Sequence, residues 1–216
     1  MSDRYICVPL TSDKNHKNEI KSFIIDREAG YANDPCKIIG LEAYLKRCAW
    51  EDDQRNDVKI YLIKDQITMD IAAYFGLKAG MVVDNENDAP NFEVIKETLI
   101  TSNTKLVPSV IPGIEISHFA VNDNYRRKIS RSNNPVKGLG QYFYPAFIYP
   151  IIQEVSKKIG IRMIYLYAAG DKHLTDYYRD VFQFEILNWE DYYMPLQPEY
   201  DGNCTFMFRI LSGDTE

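Results

Sequence analysis

Between Asn124 and Gln153 the chain carries no acidic residue. At the chain-wide frequency of 31 Asp and Glu in 216 residues, such a stretch would hold about four. It holds Arg126, Arg127, Lys128, Arg131 and Lys137 instead, followed by Gly138 and Gly140. A strand-like run, Gly113 to Val121, precedes it, and a long apolar segment follows. This combination suits a phosphate group. Glycines let the backbone approach an anion closely, and the first N–H groups of a helix lack internal partners and point outward along a favourable dipole. Gly138, Leu139, Gly140, Gln141 and Tyr142 would supply those amides, and Lys137 with Arg126 or Arg127 would supply charge. The pattern is not a Walker loop, because no G-x-x-x-x-G-K-[ST] is present. It is not a dinucleotide fingerprint either, because Phe143 stands where the third glycine belongs.

Other reactive side chains form no cluster. His16, His118 and His173 are scattered, and Cys7, Cys36, Cys48 and Cys204 contain no C-x-x-C pair, so no metal site is expected. The four cysteines read as buried or incidental thiols. A Cys7–His118 nucleophilic pair has no local support.

The net charge of −6 argues against a broad nucleic-acid surface, so nucleic acid is not expected as a partner. The basic stretch is local and suits a small anionic ligand. No run of eighteen apolar residues predicts a membrane span, and MSDRYICVPL lacks the apolar core of a secretion signal. A cytoplasmic protein without a membrane partner, monomeric or homodimeric, is expected.

The elements that must position these residues follow from periodicity. Arg4–Leu10, Val58–Lys64, Met69–Val83, Ile114–Val121, Arg162–Ala169, Phe184–Leu187 and Thr205–Leu211 read as strands. The two glycines in Met69–Val83 suggest a bend. Asn15–Glu28, Cys36–Trp50, Leu139–Lys158 and Leu174–Phe182 read as helices. Gly160 is a helix stop, and EDDQRND (51–57) reads as an acidic turn. Asp84–Gly113 has no clear period and reads as a surface insertion with a short helix near Phe92–Leu99. The order predicts an α/β (α+β) chain: one domain, 1–216, with helices on the faces of a mixed sheet.

The wider context, "GIEISHFAVNDNYRRK…KGLGQYFYPAFIYPIIQEVSKKIGIRMIYLYA…LTDYYRDVFQFEIL", resembles the GCN5-related N-acetyltransferase (GNAT) family. There a central strand ends in V-x-x-x-y-R, a Q/R-x-x-G-x-G/A turn follows, and a later helix carries FY-x-x-x-GF. The resemblance spans Val58–Leu211 in element order, and its motifs lie in Glu115–Gln141 and Leu174–Ile186. It implies a mostly antiparallel central sheet of about six to seven strands, flanked by helices on both faces. It also implies acetyl-CoA as co-substrate, with no metal. The pyrophosphate would sit on the Gly138–Tyr142 amides, and the Phe119, Ala120 and Val121 backbone would bond the pantetheine arm like an added strand. The chain departs from the pattern in four places. Pro135 stands at the Q/R position, Ile129–Pro135 lengthen the turn, Pro145 and Pro150 lie in the expected helix, and Gln183 precedes Phe184 where the family has glycine. Pro150 should bend or break that helix.

What the resemblance implies about activity is transfer of an acetyl group from acetyl-CoA to a primary amine, by direct attack in a ternary complex. The acceptor would be a small molecule or a peptide. A catalytically inactive, acyl-CoA-binding or regulatory module is the alternative. A neutral amine must lose a proton, and the leaving thiolate must gain one. The family's sulfur-protonating tyrosine matches Tyr178, with Tyr177 one residue away. For the base, Glu115 matches the family's carboxylate position, whereas His118 has an ordinary pKa closer to neutrality. Three residues apart on a regular strand, the two should point to opposite faces, leaving one for the substrate. Tyr31, Tyr61 and Tyr74 are candidates for an acceptor pocket, with core packing the commoner fate of such residues.

Overall fold

The computed structural model describes residues 4–26, 40–84, 109–130, 138–169, 171–186, 192–193 and 204–211. In chain order these form β1 (Tyr5–Pro9), α1 (His16–Glu19), α2 (Leu41–Arg47), α3 (Ala49–Arg55), β2 (Lys59–Asp65), β3 (Ile71–Asp84) and β4 (Ser109–Val121). Then follow α4 (Asp123–Ser130), α5 (Leu139–Phe143), a π-helical turn (Tyr144–Ile148), α6 (Tyr149–Ile159), β5 (Met163–Ala168), α7 (Lys172–Phe182), β6 (Glu185–Ile186), β7 (Tyr192–Tyr193) and β8 (Thr205–Ile210). The sheet runs β1-β2-β3-β4-β5-β8-β6, with β7 pairing the far end of β3. Every neighbouring pair is antiparallel except β4 with β5. The mostly antiparallel sheet expected from the sequence is present, one strand larger than expected because of the short β7.

Alternation along the strands divides the core into two faces. On β3, Ala73, Phe75 and Leu77 face a cluster shared with Phe143, Ile148 and Ile152 from the long helical run and Phe182 from α7. Phe143, Ile148 and Ile152 are fully buried, each contributing about 1.5–3 kcal/mol over an exposed position. On the opposite face, Tyr74 packs with Leu45 and Ala49 of the N-terminal helices, and further along Val82 packs with Tyr165 and Phe206.

Several expected elements differ. The helix from Asn15 is short: after α1 and a 3-10 turn at Ile20–Ser22 the chain extends at Phe23. The extended segment is held by tertiary bonds: Ile24 N–H donates to Asn122 Oδ1 (3.2 Å), Ile25 N–H to Glu42 (2.8 Å), and Asp123 N–H to the Ile24 carbonyl (2.8 Å). Of the expected 36–50 helix, residues 36–39 lie outside the described residues, and α2 ends at Arg47. The acidic 51–57 segment is not a turn but most of α3. Its Asp53 is buried and accepts bonds from the Ile60 N–H (3.0 Å) and the Thr11 hydroxyl. Pro150 does not break the long helix. The π turn widens the coil, with Tyr149 N–H donating to the Tyr144 carbonyl five residues back, so the prolines are absorbed where i→i−4 bonding is already interrupted. Gly160 stops the helix as expected, in a left-handed conformation. β4 begins at Ser109, earlier than expected, and pairs back to Asp84; residues 85–108, with the expected Phe92–Leu99 helix, lie outside the described residues.

Candidate functional site

β4 and β5 pair in parallel register only over Gly113–Glu115 and Met163–Tyr165. Beyond that point the strands separate, leaving the β5-facing edge of β4 unpaired in the register. Two adjoining clefts occupy the opening. One, of about 300 Å³, is lined by Ser117–Val121 of β4, Leu166–Ala169 at the end of β5, and Leu41 of α2. The other, of about 520 Å³, is lined by Gly138–Gly140, Ser130 and Tyr177. Phe119, Ala120, Val121, Arg126, Leu174 and Tyr178 line both, so the clefts are continuous.

The glycine end has local causes in the sequence. Gly138 adopts φ +67°, a conformation costing an L-residue about 1–2 kcal/mol, and caps α5 while its carbonyl accepts Tyr142 N–H at 3.0 Å. Gly140 follows in the first turn. A Cβ there would stand 3.6 Å from Tyr177 Oη and 3.8 Å from Phe119 Cζ, so the turn, the tyrosine and the central strand converge.

Three of the five basic residues lie ahead of the glycine turn rather than in it. Arg126, Arg127 and Lys128 lie on α4, a helix that the sequence reading missed. Its start is fixed by the buried Asn122, whose side chain donates to the Ile71 carbonyl (2.7 Å) and accepts from Asn124 N–H (3.0 Å). Arg126 pairs with Asp123 (3.0 Å) and lines the clefts. Arg127 pairs with Asp26, and Lys128 with Asp70 (2.8 Å), so neither belongs to the cleft lining. Lys137 and Tyr31 lie outside the described residues. Tyr61 stacks on Phe75, and Tyr74 is buried with its hydroxyl donating to the Leu41 carbonyl (2.6 Å); both serve the core.

The expectation that Glu115 and His118 point to opposite faces is wrong. The β3–β4 register shifts between Gly76 and Leu77: Gly76 pairs with His118, Leu77 with Ile116, and Ser117 is extra. A bulge of one residue resets the alternation. Ile114 and Ile116 therefore share the α5–α6 face with Phe119 and Val121, while Glu115 and His118 both face the other side. A Cβ on Gly76 would lie 2.9 Å from Ser117 Oγ, so glycine opposite the bulge makes room for it.

On that face His118 stacks on Tyr44 of α2, with centroids 3.7 Å apart, and its Nδ1 meets Ser117 Oγ at 2.9 Å. Burial, aided by the Lys78 charge, pushes its pKa down to about 3, so the imidazole is neutral at physiological pH. Its ordinary pKa, which commended it as a base, is not retained. Glu115 is buried beside Tyr165, whose hydroxyl lies 3.5 Å from Glu115 Oε2. Ser117, Tyr44 and Tyr165 were not singled out from the sequence. Only the tertiary register reveals them.

Tyr177 and Tyr178 are both half-buried on α7, but differently placed. Tyr178 lines both clefts, whereas Tyr177 lines the glycine end alone. Burial raises the Tyr177 pKa, and the Arg126 charge acts in the opposite direction.

No protein-family model and no curated protein matches the sequence. Solved structures do match. A Tyr-to-Phe mutant of the AtaT toxin has a TM-score of 0.60 at 13% identity, covering 96% of this chain and 90% of that one. AtaTR bound with acetyl-CoA has 0.56 at 14% identity, covering 96% and 94%. AtaT complexed with acetyl-methionyl-tRNAfMet has 0.56 at 15% identity, covering 94% and 93%. The fold is therefore that of the GNAT proteins, as the resemblance implied. The expectation that excluded nucleic acid is corrected. Within this fold one protein is seen with tRNA, and a KacTA complex (TM-score 0.53) is seen with DNA. Net charge sums the whole chain, whereas binding depends on local patches of charge that a sum does not locate. Among the described residues no helix is long and apolar enough to cross a membrane.

Proposed function

We propose that this chain is an N-acetyltransferase that moves an acetyl group from acetyl-CoA to a primary amine by direct attack. The observation that carries the reading is the opening between β4 and β5: a cleft with a bare strand edge on one wall, a glycine-capped helix start at one end and tyrosines on the other wall. The residues suit the co-substrate. The Gly138–Gln141 amides and Arg126 would bind its pyrophosphate, whereas the Tyr142 N–H, expected among them, is already given to the Gly138 carbonyl; the backbone of Phe119–Val121 would hydrogen-bond the pantetheine arm.

The chemistry then follows from the side chains lining the opening and from Glu115, which lies in the last parallel pair beside it and lines neither cleft. The acceptor ammonium must first lose a proton, and the Glu115 carboxylate takes it through water. His118, neutral and stacked on Tyr44, forms part of the acceptor wall. The amine attacks the thioester carbonyl, and a backbone N–H at the Ser117 bulge stabilises the oxyanion, since a bulge leaves ladder donors free. As the carbon–sulfur bond breaks, Tyr178 gives its proton to the sulfur, and the proton that the new amide nitrogen sheds restores the phenol. Its contact with both clefts favours it over Tyr177 for this role.

The acceptor is a primary amine, and aminoacyl-tRNA belongs first in the panel because an AtaT structure of this fold holds acetyl-methionyl-tRNAfMet. The test is calorimetric titration with acetyl-CoA, followed by mass spectrometry of aminoacyl-tRNAs, peptides and small amines. Saturable binding with acetylation of one class is expected. No binding at millimolar acetyl-CoA would sink the proposal, and binding without transfer to any amine would leave a ligand-binding module.

A further inference from the structure

Gly80 of β3 and Gly113 of β4 are register partners on adjacent strands. Neither has the left-handed φ that would require glycine, and glycine weakens a strand. Their reason is space. A Cβ at Gly80 would lie 1.7 Å from Tyr165 Oη and 2.8 Å from Cζ, and one at Gly113 would lie 3.0 Å from Cδ1 and Cε1. The two glycines clear a bed on which the Tyr165 ring lies, reaching from β5 across β4 to β3. Tyr165 is itself the register partner of Glu115, and its hydroxyl reaches Glu115 Oε2 at 3.5 Å. Both groups are nearly inaccessible, at 3% and 4% exposure. Burying a carboxylate is costly unless donors compensate it.

We propose that Tyr165, laid on its glycine bed, is a positioning residue that orients the Glu115 carboxylate and holds it ionised for proton abstraction. The inference rests on the reading of Glu115 as the base. Burial, reinforced by the Glu115 charge, raises the Tyr165 pKa well above the ordinary range, so the phenol stays protonated and donates. Other groups on this side of the sheet near Glu115 include Lys78, its register partner on β3, Tyr167 on β5 with Cys204 beyond it, and His118 further along β4. Tyr165→Phe leaves all of these in place.

Loss of a donor to the ionised form raises a carboxylate's pKa. With Tyr165→Phe, the Glu115 side-chain carbon, assigned by comparison with Glu115→Gln, should titrate roughly half a pH unit higher by NMR. The acid limb of kcat/KM should move upward by the same amount, with acetyl-CoA affinity unchanged. Gly80→Ala, which pushes the hydroxyl aside without removing it, should give the same shift and serves if Tyr165→Phe does not fold. An unmoved Glu115 titration overturns the pairing, whether or not the protein is an enzyme. A titration that moves while the pH profile stays fixed overturns the positioning role. Absence of turnover in the unmutated protein overturns the acetyltransferase reading separately, and the positioning role with it.

Discussion

Gly140→Asp separates folding from ligand binding, because the two should respond in opposite directions. In the fold the added Cβ meets Tyr177 Oη at 3.6 Å and Phe119 at 3.8 Å, ordinary contact distances, so no steric penalty arises there. The new carboxylate sits in the first turn of the helical run that continues to Ile159, where a negative charge stabilises by about 0.3–1 kcal/mol. Thermal unfolding should therefore show an unchanged or slightly raised Tm. A pyrophosphate bound by the same amides would face the carboxylate at about 5 Å. At an effective dielectric of about 20, one pair of like charges at that distance costs about 3 kcal/mol. That is about a hundred-fold loss of acetyl-CoA affinity, readable by calorimetry. Gly140→Ala, which adds the methyl without the charge, is the control and should lose far less. An aspartate variant with normal Tm and unchanged affinity would show that the pyrophosphate is not held at this turn.

Tyr178→Phe should lower kcat about a hundred-fold with little change in acetyl-CoA affinity, measured by steady-state kinetics and calorimetry; Tyr177→Phe should alter turnover much less. His118 has a folded pKa depressed to about 3, so the unfolded chain binds more protons between about pH 6.5 and 3. Stability should fall as pH drops through that window, and His118→Gln should flatten the fall in urea-unfolding series. Asp65 is fully buried. Burial alone would raise its pKa, but the Tyr125 hydroxyl (2.5 Å), the Ile67 N–H and Arg4 outweigh it and hold it below the ordinary value. Asp65→Asn, leaving Arg4 without its partner, should destabilise by about 3 kcal/mol in urea unfolding.

The glycine-capped helix start was legible from composition and spacing, because Gly138 and Gly140 act through their own backbone and through neighbours in the chain. The strand ending in Val121 and the helix carrying Tyr177 and Tyr178 were legible for the same reason: periods of 2 and 3.6 report which face of an element is buried. The helix of Arg126 and Arg127 was missed because its cap, Asn122, gains its meaning from bonds to Ile71 and Ile24, distant in sequence. The net charge misled about nucleic acid because a sum carries no position.

By itself, then, the sequence determined the order and type of most elements, the phosphate-compatible turn and the pool of reactive side chains. Local propensity and periodicity act over a few residues, and these features need no more. Only the tertiary structure decided which side chains share a site. One bulge residue, Ser117, brought Glu115 and His118 to the same face, burial beside Tyr44 and the Lys78 charge keep that histidine neutral, and Gly80 and Gly113 make room for the tyrosine that meets Glu115. Register across a sheet is set by pairing between distant strands. A shift of one residue reverses every side chain beyond it, and no local pattern records that shift.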